Sequence, residues 1–198
     1  MKKIFILSLF FFTISLTNFG IAYSISPDVF IQSTVNRAST VLSKDISKSE
    51  KMDQLKIIAN ETVDIKGIGY YSLGATRKIL SDTQIENYLN LFEKYFLKSF
   101  SSRLAEYTNP EIEVKNKKKL NNNYTIVNSV LIGTKDRPEI RIDWRVYTKD
   151  TNNPLIRDLI IEGLSLARTQ KEEFSSIINS NNGDVNVLFE SLRNFSNN

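Results

Sequence analysis

The sequence predicts one α+β domain: N-terminal helices first, then a four-stranded antiparallel sheet, then closing C-terminal helices that pack on it. Three observations carry the fold class. Between residues 85 and 107, apolar side chains recur every three or four positions, the period of one helix face. Between 139 and 149 they alternate, the period of a strand with one buried face. The strands of the second half are separated only by short polar turns, "NNN", "TKDRP" and "DTNNP", which imply an antiparallel meander.

The chain starts with a different signal. Lys2 and Lys3 precede an uncharged apolar run, "IFILSLFFFTISL" (4–16), and small residues follow at Gly20, Ala22 and Ser24. A basic start, a short apolar run and small residues make a secretory signal peptide, residues 1–22, with cleavage after Ala22 or Ser24. The competing reading is an uncleaved anchor, but a full span needs about 20 apolar residues. The mature domain is then 23–198. Removing Lys2 and Lys3 from the 26 basic residues leaves 24 against 22 acidic ones, too mild a balance for a nucleic-acid partner.

Residues 27–66 read as helical. Val29, Val35, Ala38 and Leu42 share one face, and Met52, Leu55, Ile58 and Val63 repeat the pattern, with a cap at Ser49 before Glu50. "KGIGYYSLGATRKIL" holds Gly67, Gly69 and Gly74, which predict a short or broken helix. The longest helix opens on "SDTQ" (81–84), a capping box, and carries Ile85, Tyr88, Leu89, Phe92, Phe96, Phe100, Leu104 and Tyr107 on one stripe. Asn109-Pro110 ends it. Strands follow at 111–120, 124–133, 139–149 and 155–164. Ile140, Ile142, Trp144 and Val146 point one way, and Arg141, Asp143 and Arg145 the other. "KNKKK" (115–119) is a basic edge that keeps the strand from pairing with other chains, or a docking surface for anionic partners. A helix at about 165–179 and a short one at 185–195 close the fold.

Absent residue types exclude chemistry. There is no His and no Cys, so no Ser-His-Asp triad, Cys-His pair, His-ligated metal or disulfide can be built. A secreted domain without disulfides has to be stabilised by its core. No phosphate-binding glycine loop is present. Two-carboxylate hydrolysis is left, with Asp143, Asp158 and Glu162 as candidates, although exposed or ion-paired structural roles are the commoner use of such residues.

Three stretches resemble the MlaC family of periplasmic phospholipid-binding proteins, also called toluene-tolerance auxiliary transport proteins. "LG" (73–74) with "LSDTQIENYLNLFEKYFLKSFSSRLAEY" (80–107) is similar to its long helix. "PEIRIDWRVY" (138–147) is similar to a sheet strand. "IRDLIIEGLSLARTQKEEFSSII" (156–178) is similar to its strand-to-helix signature, with "NNGDVNVLFESLRNF" as the helical end. Two departures stand out: "NNPLIRD" replaces a Trp-containing turn, and Lys171 stands where Arg is common.

The resemblance implies a carrier, not an enzyme, of a Gram-negative periplasm. It would shuttle glycerophospholipid between an outer-membrane lipoprotein–porin complex and an inner-membrane ABC transporter complex, and so maintain outer-membrane lipid asymmetry. It implies a monomer with no cofactor other than its cargo. The acyl chains would lie between sheet and helices, with the headgroup in water. Expected lining residues are Leu89, Phe92, Phe96 and Phe100 from the long helix and Ile126, Val130, Ile140, Ile142, Trp144, Val146, Leu159, Ile161 and Leu164 from the strands. Such a carrier must replace water around two long tails, a transfer on the order of 20 kcal/mol. The reading from another class is a periplasmic protein-interaction module with an ordinary filled core.

Overall fold

In the computed structural model, residues 24–135 and 137–197 are described, and the expected signal segment 1–22 lies outside them. The helical N-terminal span divides into α1 (Pro27–Leu42), α2 (Lys48–Thr62) and α3 (Ile65–Ser72). Pro27 opens α1, where the N–H it lacks would have had no helical partner. The cap of α2 is Ser47, not Ser49. A capping box needs Ser and Glu three residues apart: Ser47 Oγ accepts the Glu50 N–H at 3.2 Å, and the Glu50 carboxylate accepts the Ser47 N–H at 3.0 Å. Asp64 caps α3 by accepting the Gly67 N–H at 2.9 Å.

The glycine-rich span forms α3 and a single 3₁₀ turn, Thr76–Lys78. A Cβ on Gly69 would stand 2.7 Å from the Phe92 ring, so glycine here lets α3 lie close against the next helix. That helix, α4 (Asp82–Leu104), has the expected capping box between Ser81 and Gln84. It ends at Leu104, earlier than Asn109-Pro110. The residue before a proline is kept out of the right-handed helical region, and Asn109 adopts φ 48°; the chain leaves the helix a turn ahead of it. Tyr107 still packs on the core.

Five antiparallel strands follow in sequence order: β1 (Ile112–Lys119), β2 (Tyr124–Leu131), β3 (Ile140–Tyr147), β4 (Leu155–Ile161) and β5 (Leu164–Ser165). The fifth is added to the expected four because the chain reverses at Glu162 (φ 49°) and Gly163 (φ 86°). Positive φ at both central residues is the geometry of a two-residue hairpin turn. Leu164 and Ser165 therefore pair back on Ile161 and Ile160 before the next helix starts. The Glu162 carboxylate fixes this corner, accepting the Arg141 N–H at 2.5 Å and pairing with its guanidinium at 3.2 Å. Those bonds hold its carboxyl below the usual range.

Register decides which residues face the helices. Leu131 lies opposite Ile140, Ser129 opposite Ile142, Val127 opposite Trp144 and Thr125 opposite Val146. Ile126 and Val130 lie opposite Arg145 and Arg141 and thus on the outer face, against the expectation that they point inward. A bulge after Val114 brings Lys117 opposite Val127, on the helix side of edge strand β1. There it ties down the start of α1, bonding Ser26 Oγ and, at 2.8 Å, Asp28. The Lys117 ammonium, helped by the Ser26 hydroxyl, lowers the Asp28 carboxyl to about 2.

Two C-terminal helices, α5 (Leu166–Ser180) and α6 (Val185–Asn197), close the domain. Asp158 starts α5: it is buried, and it accepts the Ala167 N–H at 3.0 Å and the Ser165 hydroxyl at 2.7 Å. Phe174 from α5 and Phe189 from α6 meet Tyr88 of α4 edge-on and tilted, with ring centroids 6.3 and 6.0 Å away. The Tyr88 hydroxyl, fully buried, bonds Ser72 Oγ at 2.8 Å, and its burial pushes its pKa well above the usual phenol range. The buried apolar residues form two groups. The larger lies between the sheet and the helices, with Ala59 as the contribution of α2. The smaller, Val41, Leu42, Leu55 and Ile58, lies between α1 and α2 under the end of α4.

Candidate functional site: an apolar cavity between sheet and helices

A domain of this size ordinarily has one contiguous core. Here the two groups are parted by a cavity of about 340 Å³ that borders both. Its volume falls in the range of ligand pockets, about 300–1,000 Å³. The space opens partly to solvent, so without a guest water meets its apolar walls, and a guest that covers them gains about 25 cal/mol per Å² of apolar surface removed from water.

The floor and one wall are aromatic. Phe92, Phe96 and Phe100 lie four residues apart on α4, so their rings form a ladder along one helix face. The Phe92 and Phe96 centroids are 6.0 Å apart, and Phe96 stacks on Phe100 at 5.5 Å with planes within 11°. Phe92 is 1% exposed, at the base, whereas Phe96 and Phe100 keep part of their surface uncovered. Large rings half-open to an interior space are what an acyl-sized guest would need to cover.

The sheet wall is made by Leu131, Ile142, Trp144, Ile156, Leu159 and Ile161. The Trp144 indole N–H donates to Ser129 Oγ at 2.8 Å, and that hydroxyl donates to the Ile142 carbonyl at 2.9 Å. The wall's only polar ring atom is thus satisfied within the sheet, and the ring offers the cavity an apolar face.

Of the expected lining residues, Phe92, Phe96, Phe100, Ile142, Trp144, Leu159 and Ile161 border this cavity. Six do not. Leu89 lies off the ladder and packs on α3 at Gly69. Ile126 and Val130 are on the outer face of β2. Ile140, at the first position of β3, packs on the larger core group from the strand's end. Val146 is 0% exposed, sealed in solid core between Thr125 and Ile156. Leu164 follows the hairpin turn and is 59% exposed.

The opposite wall was not assigned from the sequence. It comes from α1 (Val35, Ala38, Leu42) and α2 (Leu55, Ile58, Ala59). Their helical periodicity was visible; what they face was not, because an apolar stripe against a cavity and one against a filled core share the same spacing.

Most polar groups on the lining are engaged inside the protein. Thr34, Thr62 and Thr169 donate to the carbonyls of Phe30, Ile58 and Ser165, each four residues back, and Ser39 donates to Pro110. A second row on α4, Tyr95, Ser99 and Arg103, runs beside the ladder and meets Thr169, Gln170 and Glu173 of α5 on the same lining. The Tyr95 hydroxyl donates to Gln170 Oε1 at 3.0 Å, and burial together with the Glu173 carboxylate raises its pKa.

The carboxylates considered for hydrolysis are in structural use. Asp143 accepts from Asn128 Nδ2 at 2.7 Å across the strands, Asp158 anchors α5, and Glu162 holds the hairpin. Among the described residues no group of acidic side chains is placed to hold a metal ion, and no helix is long and apolar enough to cross a membrane.

The family model described as "MlaC protein" matches residues 32–194. Among solved structures, a phospholipid-binding protein from Ralstonia solanacearum, in complex with a phospholipid, superposes with a TM-score of 0.70. It is 18% identical, and the match covers 85% of this chain and 96% of that one. No curated protein matches the chain.

Proposed function

The chain belongs to the MlaC family, and on that premise we propose that it is a periplasmic carrier of glycerophospholipid that acts by binding and not by catalysis. The observation that carries this is the cavity itself: about 340 Å³ of largely apolar space between the sheet and the helices, walled by a phenylalanine ladder and one sheet face. Acyl chains match it in chemistry. Each buried methylene is worth about 0.8 kcal/mol, which compensates the uncovered rings and strand side chains for the contacts they lack. The Ralstonia protein of the same fold, described with a phospholipid bound, supports the same reading.

A carrier needs loading and unloading stations. The reading therefore includes shuttling between an outer-membrane lipoprotein–porin complex and an inner-membrane ABC transporter, in the service of outer-membrane lipid asymmetry. It also includes export, with residues 1–22 removed and a mature monomer starting near Tyr23 or Ile25.

Mass spectrometry of the exported protein tests the core of this. The intact mass should correspond to loss of the first 22 to 24 residues, and organic extraction should release glycerophospholipid at about one per protein. A folded but lipid-free protein, unable to take up lipid from vesicles, would favour the interaction module instead.

A further inference from the structure

Among the described residues, Arg103 is the one cation that borders the cavity. It extends the row Tyr95–Ser99–Arg103, two helical turns and about 12 Å beyond the point where Tyr95 bonds Gln170 and ties α4 to α5. The side chain is exposed, and among the described residues it forms no ion pair and no side-chain hydrogen bond. The nearby carboxylate on the lining, Glu173, accepts instead from Gln170 Nε2 at 3.1 Å, at the tied end. A guanidinium carries five N–H donors in a fork that fits two oxygens of one phosphate. Exposed on the lining three residues beyond Phe100, with no ion pair of its own, it is placed to meet the polar part of a lipid whose tails enter the cavity.

We propose that Arg103 binds the phosphodiester of the cargo, so that the protein recognises a phosphate as well as acyl chains. The inference rests on the carrier reading and adds a chemical class to it: a diacyl lipid without phosphate has the same tails and lacks the anchor. A purely structural use exists for a cation in the last turn of a helix, where it opposes the helix dipole. That use predicts a change in stability and none in which lipid is chosen.

The test is a competition. Stripped protein is incubated with vesicles of phosphatidylethanolamine containing diacylglycerol of the same acyl composition, then repurified, and both lipids are quantified. The wild type should load phospholipid in preference. Arg103→Gln should lower the phospholipid-to-diacylglycerol ratio by about three- to tenfold, the range for a charge-assisted bond at a partly wet site. Arg103→Lys should keep part of the preference. Arg168→Gln removes the same charge from an exposed position outside the lining and should leave the ratio unchanged. An unchanged ratio in Arg103→Gln, or an equal loss of both lipids, overturns the anchor while the carrier reading stands. A wild type that loads neither lipid overturns the carrier reading itself. Inorganic phosphate bound by stripped protein in an Arg103-dependent manner, with the lipid ratio unaffected by Arg103→Gln, would reassign the residue to free anions.

Discussion

Trp144 is the chain's only tryptophan, and its ring borders the cavity while its N–H is fixed on Ser129. Its emission therefore reports what touches the sheet wall. Stripping lipid should replace acyl contact by water and shift the emission to longer wavelength, and reloading should reverse the shift. Identical spectra in the two states would move the guest away from this wall. Single residues were unevenly legible in the sequence. The ladder Phe92–Phe96–Phe100 could be read from spacing as one apolar helix face, though a stripe against a filled core has the same period. The inward face of β2 could not. "YTIVNSVL" offers apolar residues on both faces, and the buried set, Thr125, Val127, Ser129 and Leu131, includes two hydroxyls. Ser129 is at home inside only because Trp144 across the strand supplies its donor, a pairing that exists in the register and not in the local pattern.

At the scale of elements, that register has a measurable consequence. Val127 is 0% exposed, while Ile126, next to it, is on the outer face beside Arg145. Val127→Ala should destabilise by about 2 kcal/mol through lost burial and the void left behind. Ile126→Ala, which removes more side chain, should cost about 0.5 kcal/mol. Paired chemical denaturation curves check the order, and a reversed order would mean that β2 faces the other way. Helix caps and strand boundaries were legible to within a few residues because they depend on neighbours in sequence, as the Ser81–Gln84 box does. The fifth strand was missed although Glu162-Gly163 marks its turn, because two residues are too short to show any alternation. The α1–α2 wall was legible as helix and silent as a cavity wall. Which space a stripe borders is set by how far α4 stands from it, and the ends of α2 and α4 are separated by 42 residues of chain.

For the whole molecule, the central matter is whether the space between the two core groups exists to be filled by cargo. Ile142 lies in the middle of the sheet wall, opposite Ser129 and Ile161, and borders the cavity at 9% exposure. A close-packed interior resists added bulk, at a cost of about 1–3 kcal/mol; a cavity accepts it. Ile142→Trp should therefore melt close to stripped wild type, the proper reference because bound lipid itself raises apparent stability. It should also carry much less phospholipid, since the indole takes the volume the acyl chains would use. Thermal melts and lipid quantification on the same preparations measure both. Near-native stability with phospholipid content reduced severalfold is expected of a cargo cavity; a badly destabilised variant that still loads phospholipid at the wild-type level would mean that this strand faces a filled core and the lipid lies elsewhere.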